Sequence, residues 1–233
     1  MDRRVELECA LGGVRDRIAR AATAAGREPG DVELVVVTKT YPASDVDLLA
    51  SLGVRRVGEN RHPEARDKRA TAVRADDLVW HFVGGLQTNK GRAVAAYADV
   101  VESVDRERLV TQLSRGACAA SREVRCLVQV DLEDGDRAER SGCVPSAVPQ
   151  LAEAVVAAEG LVLGGVMAVA PLGGDPARAF AILADVAAAL VADHPAATTI
   201  SAGMSGDLEE AVNAGATHVR VGRAVLGERP TTG

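Results

Sequence analysis

The sequence is poor in aromatic residues, which make up 2% of its 233 residues and include one tryptophan, Trp80. Stacking of aromatic side chains on bases or sugars is therefore excluded as a general binding strategy. The chain also lacks an excess of positive charge, since its formal net charge is −6. Proteins that bind the phosphate backbone of nucleic acids normally present a basic surface. We therefore expect no nucleic-acid partner.

Long hydrophobic runs and cysteine pairs are missing as well. No uncharged apolar stretch reaches the roughly 20 residues that cross a bilayer, and residues 1–6 lead into no apolar signal segment. The four cysteines, Cys9, Cys118, Cys126 and Cys143, are far apart and form no C-x-x-C motif. They are expected to be reduced and partly buried, rather than part of a disulfide framework or zinc site. The sequence thus predicts a cytoplasmic protein without a membrane partner.

Lysine is the scarcest basic residue. Of the 27 lysines and arginines, only three are lysines: Lys39, Lys68 and Lys90. A lysine retained in such a chain is a weak indication that an ammonium or a free amine is needed at that position.

Hydrophobic periodicity indicates an extra N-terminal helix over 3–26, followed by eight alternations of strand and helix. Ser44 or Asp45 is expected near the cap of the first helix of the repeat, and Asp105 is expected to cap the fourth. The predicted strands are 33–39, 54–58, 78–83, 99–104, 124–132, 161–169, 198–202 and 218–221. The predicted helices between and after them are 43–52, 63–74, 89–97, 105–120, 144–158, 176–192 and 207–214.

Eight βα units in a chain of this length predict an α/β fold, a single (β/α)8 TIM-type barrel, with residues 1–233 as one domain. The alternative is an open, doubly wound sheet. It is disfavoured because no early strand is followed by a G-x-G-x-x-G turn.

Active sites of such barrels lie at the C-terminal ends of the strands, and phosphate groups often bind at the seventh and eighth loops. The seventh loop contains Ser201, Gly203, Met204 and Ser205, directly before a helix. Small residues let the backbone approach an anion closely, and a helix start offers free N–H groups. The alternative is that this segment is only a tight turn. Its position in the barrel favours a phosphate site.

Lys39 closes the apolar run of the first strand. A desolvated amine has a lowered pKa and can act as a nucleophile toward carbonyls, as a Schiff-base lysine does. The alternative is a lysine whose ammonium reaches solvent at the barrel mouth. By contrast, Lys68 and Lys90 are expected to stay hydrated in polar helical segments. An amine opposite a phosphate site suggests pyridoxal 5′-phosphate (PLP), which carries an aldehyde and a phosphate.

Arg220 lies on the last strand, where a buried guanidinium needs an acceptor. It is expected either to pair with a carboxylate such as Glu59 or to face the ligand. His81, within the third strand, is more consistent with a hydrogen-bonded core histidine than with a ligand contact. The other histidines, at 62, 194 and 218, are expected to be structural or solvated.

Motifs spread in order over nearly the whole chain resemble the pyridoxal phosphate homeostasis protein family, which is related to the N-terminal barrel of alanine racemase. The matching residues are Thr38, Lys39 and Thr40; Gly58, Glu59 and Asn60; Trp80, His81, Phe82, Val83 and Gly84; Leu86, Gln87, Asn89 and Lys90; Gly164, Gly165, Val166 and Met167; Ser201, Gly203, Met204, Ser205 and Asp207; and Val219, Arg220, Val221, Gly222, Gly227 and Arg229.

The resemblance implies a PLP Schiff base on Lys39 and a protein that carries or buffers the cofactor in vitamin B6 and amino-acid homeostasis, without established turnover. It further implies a monomer whose recipients would be PLP-dependent apoenzymes. The implied cofactor-binding residues are Lys39, Asn60 and Met167 near the ring, Arg220 at the pyridine nitrogen, and Ser201, Gly203, Met204, Ser205, Gly222 and Arg223 around the phosphate.

The chain departs from the family pattern at several positions. Arg61 and His62 stand where an aromatic and an aliphatic residue are more common, and Ala202 replaces a larger apolar residue. Arg223 replaces a small hydroxyl residue beside the phosphate, and Arg140 replaces a lysine.

Two other functions fit parts of the pattern. One is a PLP-dependent enzyme resembling an amino-acid racemase, and the other is a phosphosugar-type barrel enzyme that uses Lys39 without a cofactor. Racemisation needs a base on each face of the substrate. Neither Tyr41 nor Tyr97 is placed opposite Lys39 by the sequence, and the second domain that supplies this tyrosine in alanine racemases is not expected here. The carrier function is therefore favoured.

Overall fold

A computed structural model describes residues 2–133 and 141–228 and shows a closed barrel of eight parallel strands. Each strand pairs with the next along the chain, and β8 pairs back with β1, which closes the barrel. The predicted TIM-type barrel is therefore confirmed, and the open sheet is not observed. The strands are β1 Glu33–Val37, β2 Arg56–Glu59, β3 Val79–Phe82, β4 Val100–Val104, β5 Val124–Gln129, β6 Leu161–Met167, β7 Thr199–Ser201 and β8 His218–Val221.

Helices surround the barrel, and the predicted N-terminal helix is present. A short helix after β8 was not predicted, because it spans only one turn. The helices are α1 Arg3–Ala24, α2 Ala43–Ser51, α3 Glu64–Thr71, α4 Gly91–Ala95, α5 Glu107–Ala119, α6 Val148–Val156, α7 Pro176–Asp193, α8 Leu208–Asn213 and α9 Arg223–Leu226. Short 3-10 turns precede α4 and α6, which shortens both relative to prediction.

Ser44 and Asp45 lie near the N-cap of α2, as predicted, whereas the predicted Asp105 cap of α5 is wrong. Helix α2 has Pro42 at its N-cap, and Asp45 lies in the first turn with its carboxylate 2.6 Å from a guanidinium nitrogen of Arg3. Helix α5 has Arg106 at its N-cap, and Asp105 pairs with the side chain of Arg106. In both helices an arginine binds the carboxylate, and for Asp105 this replaces the predicted contact with backbone N–H groups.

Helix α1 packs on α8 and α9, next to the closure of the barrel between β8 and β1. Its buried face consists of Leu7, Leu11, Val14, Ile18, Ala21 and Ala22. Polar contacts of Arg3 and Arg17 join this helix to the C-terminal part of the chain, and Arg17 also pairs with Glu209. Arg3 donates a hydrogen bond to the Leu226 carbonyl (3.0 Å), and Arg17 donates one to the Ser205 carbonyl (2.8 Å). Helix α1 thus holds the loop after β7 in place.

All four cysteines are free thiols, as predicted; Cys126 and Cys143 are buried and the other two are exposed. In the described part of the chain, no helix is both long enough and apolar enough to span a membrane.

Candidate functional site

A cleft of about 270 Å³ opens at the C-terminal ends of β1, β7 and β8. This is the end of the barrel at which active sites are built. The cleft is lined by Val37, Lys39, Tyr41, Met204, Ser205, Gly206, Arg220, Gly222 and Arg223. The structure therefore brings together six of the residues that the sequence predicts for the site: Lys39, Met204, Ser205, Arg220, Gly222 and Arg223.

Two other predicted residues, Asn60 and Met167, line a separate cavity of about 410 Å³ that borders the ends of β2, β3, β5 and β6. Asn60 packs against Gly84. A Cβ atom at position 84 would lie 2.3 Å from the Asn60 carbonyl oxygen. Only glycine fits there, so the Gly84 position fixes the backbone of Asn60. A contact of Asn60 or Met167 with the cofactor ring stays a prediction.

The segment that carries Lys39 is held by neighbouring polar groups on both sides. The Thr38 hydroxyl donates to Glu59 Oε1 (2.6 Å), and the Thr40 N–H donates to Glu64 Oε1 (2.6 Å). Thr40 also has a φ of 72°, a conformation that is costly for a β-branched residue and that concentrates at functional sites. These contacts fix the position from which Lys39 enters the cleft.

Lys68 is part of the same arrangement, which corrects the prediction that it is hydrated. It is only 7% exposed, and its ammonium lies 2.6 Å from Glu59 Oε1 and 2.7 Å from the Thr38 carbonyl oxygen. Burial raises the pKa of Glu59, while Lys68 and Thr38 act in the opposite direction. Lys68, Glu59 and Thr38 form a buried polar cluster next to the segment that carries Lys39. We call this cluster the lysine clamp.

Tyr41 lines the cleft but is anchored to the chain. It is 5% exposed, and its hydroxyl donates a hydrogen bond to the Gly227 carbonyl (2.7 Å). This contact ties the loop after β1 to the segment after α9.

The loop after β7 has a backbone shape that few residues other than glycine adopt. Gly203 has a φ of +89°, and a Cβ there would lie 2.7 Å from the Cβ of Ala211. The Met204 N–H donates to Asp207 Oδ1 (2.6 Å), which closes the turn into α8. Gly222, at the N-cap of α9, brings its Cα so close to β1 that a Cβ would lie 3.2 Å from the Val37 carbonyl oxygen. Gly222 thereby lets the backbone line the cleft, whereas Gly203 shapes the turn without lining the cleft, and its contact with a phosphate stays a prediction.

Arg220 lies beneath this loop in a buried hydrogen-bond network. Its terminal nitrogens donate to the Ser201 hydroxyl (2.7 Å) and the Ala168 carbonyl (2.8 Å). Its carboxylate partner is Glu102, at 3.6 Å, rather than Glu59, which is bound to Lys68. The Ser201 hydroxyl in turn donates to Glu102 Oε2 (2.6 Å). Ser201 is thus engaged below the cleft, and its contact with a phosphate stays a prediction.

Glu102 connects Arg220 to His81. The Nδ1 atom of His81 lies 2.6 Å from Glu102 Oε1, as expected for a hydrogen-bonded core histidine. Burial opposes ionisation of Glu102, yet the hydrogen bond and charge of His81, together with Arg220 and Ser201, bring its pKa to about 2. Burial lowers the pKa of Arg220 from its ordinary value, and Glu102 counteracts this effect. The network therefore holds a carboxylate ion between two basic groups.

Sequence reasoning missed Glu102 and Lys68. A glutamate in the middle of the apolar strand Val100–Val104 is a signal for the first, and the scarcity of lysine is one for the second. His218 was expected to be structural or solvated; it is largely buried, and burial together with His81 and nearby arginines lowers its pKa to about 4. Arg140 and Arg229, which entered the family comparison, lie outside the described residues.

An amine, an arginine and a glycine-containing loop at the C-terminal end of one (β/α)8 barrel define a racemase-type barrel. The family model described as "Alanine racemase, N-terminal domain" matches residues 10–230.

More similar relatives give a narrower assignment. The pyridoxal phosphate homeostasis protein of Mycobacterium tuberculosis is 43% identical over 244 residues, which cover 98% of this chain and 95% of that protein. The chain belongs to the family of pyridoxal phosphate homeostasis proteins.

Two solved structures are similar over most of their length. The structure of a protein of unknown function from Bifidobacterium adolescentis has a TM-score of 0.89 and 32% identity, and the match covers 97% of this chain and 96% of that one. PipY of Synechococcus elongatus, solved with PLP bound, has a TM-score of 0.75 and 33% identity, with coverage of 90% and 100%.

Proposed function

We propose that this protein binds PLP in the cleft at the ends of β1, β7 and β8, and that it carries or buffers the cofactor without catalytic turnover. The observation that supports this most strongly is the placement of Lys39, Ser205, Gly222 and Arg220 around one cleft. The names of the relatives and the PLP-bound PipY structure point to the same cofactor.

The residues of the cleft fit the groups of the cofactor. PLP supplies an aldehyde that combines with an amine, a phosphate dianion and a pyridine ring. Lys39 is the amine that lines the cleft. Opposite it, the loop with Met204 and Ser205 and the start of α9 offer small residues and helix N–H groups without intrahelical partners. A Cβ at Gly222 would crowd the β1 backbone that lines the cleft, as expected for a site where backbone must approach a ligand.

Arg223 changes the chemistry at the phosphate end. It lines the cleft and is exposed, at a position where the family resemblance implies a small hydroxyl residue. A guanidinium can donate two hydrogen bonds to one phosphate, whereas a hydroxyl donates one. Under this proposal Arg223 replaces the hydroxyl contact by a charged one, and Asn60 and Met167 border the ring side.

The contacts of the two candidate acid–base residues, Tyr41 and Tyr97, favour the carrier function over a racemase. Tyr41 donates its hydroxyl to a backbone carbonyl, and the ring of Tyr97 stacks on that of His62, with the Tyr97 hydroxyl 3.4 Å from His62 Nδ1. Burial raises the pKa of Tyr97 far above its ordinary value. The raised pKa of Tyr97 disfavours loss of its proton near neutral pH, and the Tyr41 hydroxyl is already bound to the Gly227 carbonyl, which supports the carrier function over a racemase.

We further propose that the protein consists of one domain, acts as a monomer and passes PLP to PLP-dependent apoenzymes. Four free cysteines, two of them exposed, are typical of a reducing compartment and support a cytoplasmic location.

The decisive experiment is reduction of the PLP-loaded protein with borohydride, followed by peptide mass mapping. We expect a visible absorbance band that reduction abolishes and a pyridoxyl label on Lys39. The Lys39→Ala variant should lack both, whereas Lys90→Ala, which removes an exposed lysine, should keep them. A label on Lys68 or Lys90 with Lys39 unmodified would contradict the assignment. So would equal affinity for PLP and pyridoxal, since the phosphate would then contribute nothing.

A further inference from the structure

A second polar cavity lies inside the barrel at the opposite end from the cleft. It has a volume of about 200 Å³ and opens at the N-terminal ends of the strands. Arg56 and His218 are the first residues of β2 and β8, and Arg125 is the second residue of β5. The cavity is lined by Arg56, His81, Val100, Arg125, Leu127, Thr199 and His218.

The lining of this cavity is basic. It contains two guanidinium groups and two imidazoles, and no carboxylate among the lining residues. The nearest acidic groups are already engaged: Glu33 lies 3.5 Å from Arg56 Nε with its side chain half-exposed, and Glu102 binds His81, Ser201 and Arg220. Burial is the main cause that lowers the pKa of His218; the charges of His81, Arg56 and Arg125 lower it further, and Glu102 acts in the opposite direction.

Two buried nitrogen atoms at this cavity have no hydrogen-bond partner in the described part of the chain. They are His81 Nε2 and Arg56 Nε. Arg56 Nε lies 3.5 Å from the Glu33 carboxylate, so His81 Nε2 is the one with neither a hydrogen bond nor an ion pair among the described residues. The His81 side chain is 2% exposed, and its Nδ1 edge is occupied by Glu102, so Nε2 lies on the other edge of the ring. Buried polar atoms are almost always hydrogen-bonded, and those that are not call for a ligand, a water or an ion.

We propose that this cavity binds a small oxyanion, a phosphate or a carboxylate, between Arg56, Arg125, His81 and His218. Guanidinium groups match the oxygen geometry of phosphate and carboxylate and bind them through paired hydrogen bonds. An anion bound at His81 Nε2 would stabilise the imidazolium form, in which Nδ1–H donates to Glu102 and Nε2–H donates to the anion. A phosphate- or carboxylate-sized group fits within the cavity volume of about 200 Å³, offers His81 Nε2 an acceptor and offsets the cluster of cations.

The site does not depend on the cleft at the other end of the barrel. The cleft is formed by loops at the C-terminal ends of the strands, and the cavity by residues at their N-terminal ends. An anion bound here therefore does not compete for Lys39 or Ser205.

The test is NMR of the full chain labelled in its four histidines, titrated with sodium phosphate against sodium chloride at equal ionic strength. We expect saturable shifts of His81 and His218 with a Kd of about 1 mM or tighter, and none of comparable size at His62 and His194. The pKa of His218, about 4 without the anion, should rise because the anion offsets the surrounding cations.

Variants separate this site from non-specific charge effects. Arg125→Gln, at an exposed position, and Arg56→Gln should each weaken phosphate binding at least about tenfold, a change that corresponds to losing one charge-assisted contact. Arg55→Gln, one residue from Arg56 and exposed, is the matched control and should leave the affinity unchanged. The histidine spectrum shows whether each variant is folded.

The proposal is overturned if the shifts do not saturate, if all four histidines respond equally, or if Arg55→Gln weakens binding as much as Arg56→Gln. Ser205→Asp places a carboxylate in the cleft and should preserve the response of His81 and His218. Loss of the response in that variant would assign it to the cleft and also overturn the proposal.

Discussion

Replacement of Lys68 by methionine tests the lysine clamp directly. The substitution keeps most of the aliphatic volume but removes an ammonium that contacts Glu59 Oε1 at 2.6 Å and the Thr38 carbonyl at 2.7 Å. Both partners are fully buried, so neither can turn to solvent. Removing one partner of a buried ion pair costs about 3–5 kcal/mol of folding free energy, because the other charge is left without compensation. We expect Lys68→Met to lose stability in this range at pH 7.

The loss should depend on pH in a defined direction. Burial already raises the pKa of Glu59, and Lys68 is the main group that lowers it, so the pKa rises further in the variant. Above the unfolded value of about 4.5, the folded variant then holds a proton that the unfolded chain has released. Stability falls with rising pH wherever the folded state binds more protons. The deficit relative to wild type should therefore be smaller at pH 5 than at pH 8.

The assay is urea unfolding of the apoprotein, followed by the fluorescence of Trp80, which is buried and the only tryptophan. Lys90→Met, at an exposed lysine, is the control and should stay within about 0.5 kcal/mol of wild type. Lys68→Met combined with Glu59→Gln should recover most of the loss, since it removes the uncompensated charge. A loss below about 1 kcal/mol in the single variant, or a double variant no more stable than the single one, would refute the reasoning.

Three further predictions address the proposed site. Ser205→Asp should weaken PLP binding at least about tenfold, because like charges meet in a partly desolvated loop, and the neutral isostere Ser205→Asn should bind closer to wild type in a fluorescence titration. A carboxyl group whose pKa is lowered on folding stabilises the fold at higher pH and loses this contribution as the pH falls from about 4.5 to about 2. Glu102→Gln should therefore lose less unfolding free energy than wild type over this pH range. Equal pH dependence of the unfolding free energy in both proteins would contradict this. PLP-loaded protein should not exchange the α-hydrogen of L- or D-alanine, serine or glutamate in deuterated water. Lys39-dependent turnover at roughly 1–10³ s⁻¹, the range typical of enzymes, would show that the protein is an enzyme.

The architecture was predictable because its signals are repeated eight times. Each buried parallel strand is a short apolar run and each helix has a 3.6-residue pattern, so errors at single element ends do not alter the count. The element ends themselves were less predictable. Asp45 and Asp105 have the composition of helix caps, yet each carboxylate is bound by an arginine. With 24 arginines in the chain, capping competes with ion pairing that only the folded structure defines.

The site was predictable where backbone shape or strand position determines it. Gly203, Gly222 and Lys39 are placed by the ends of strands, which the periodicity locates. The partners of buried charges were not predictable in the same way. Lys68 stands in a short polar helix and gives no apolar signal, but the side of α3 on which it lies faces β2 and buries it. Which carboxylate binds Arg220 likewise depends on the closure of the barrel.

Under the proposed function, the arrangement around Arg220 offers a physical reason for binding PLP without turnover. Both terminal nitrogens of Arg220 are committed to buried acceptors, and Glu102 compensates its charge. A guanidinium keeps its protons throughout the physiological range, so it can donate a hydrogen bond to a pyridine nitrogen but cannot give it a proton. An unprotonated ring withdraws electrons weakly and stabilises a carbanion poorly. The same network that fixes Arg220 in place would therefore favour retention of the cofactor over chemistry on a bound amino acid.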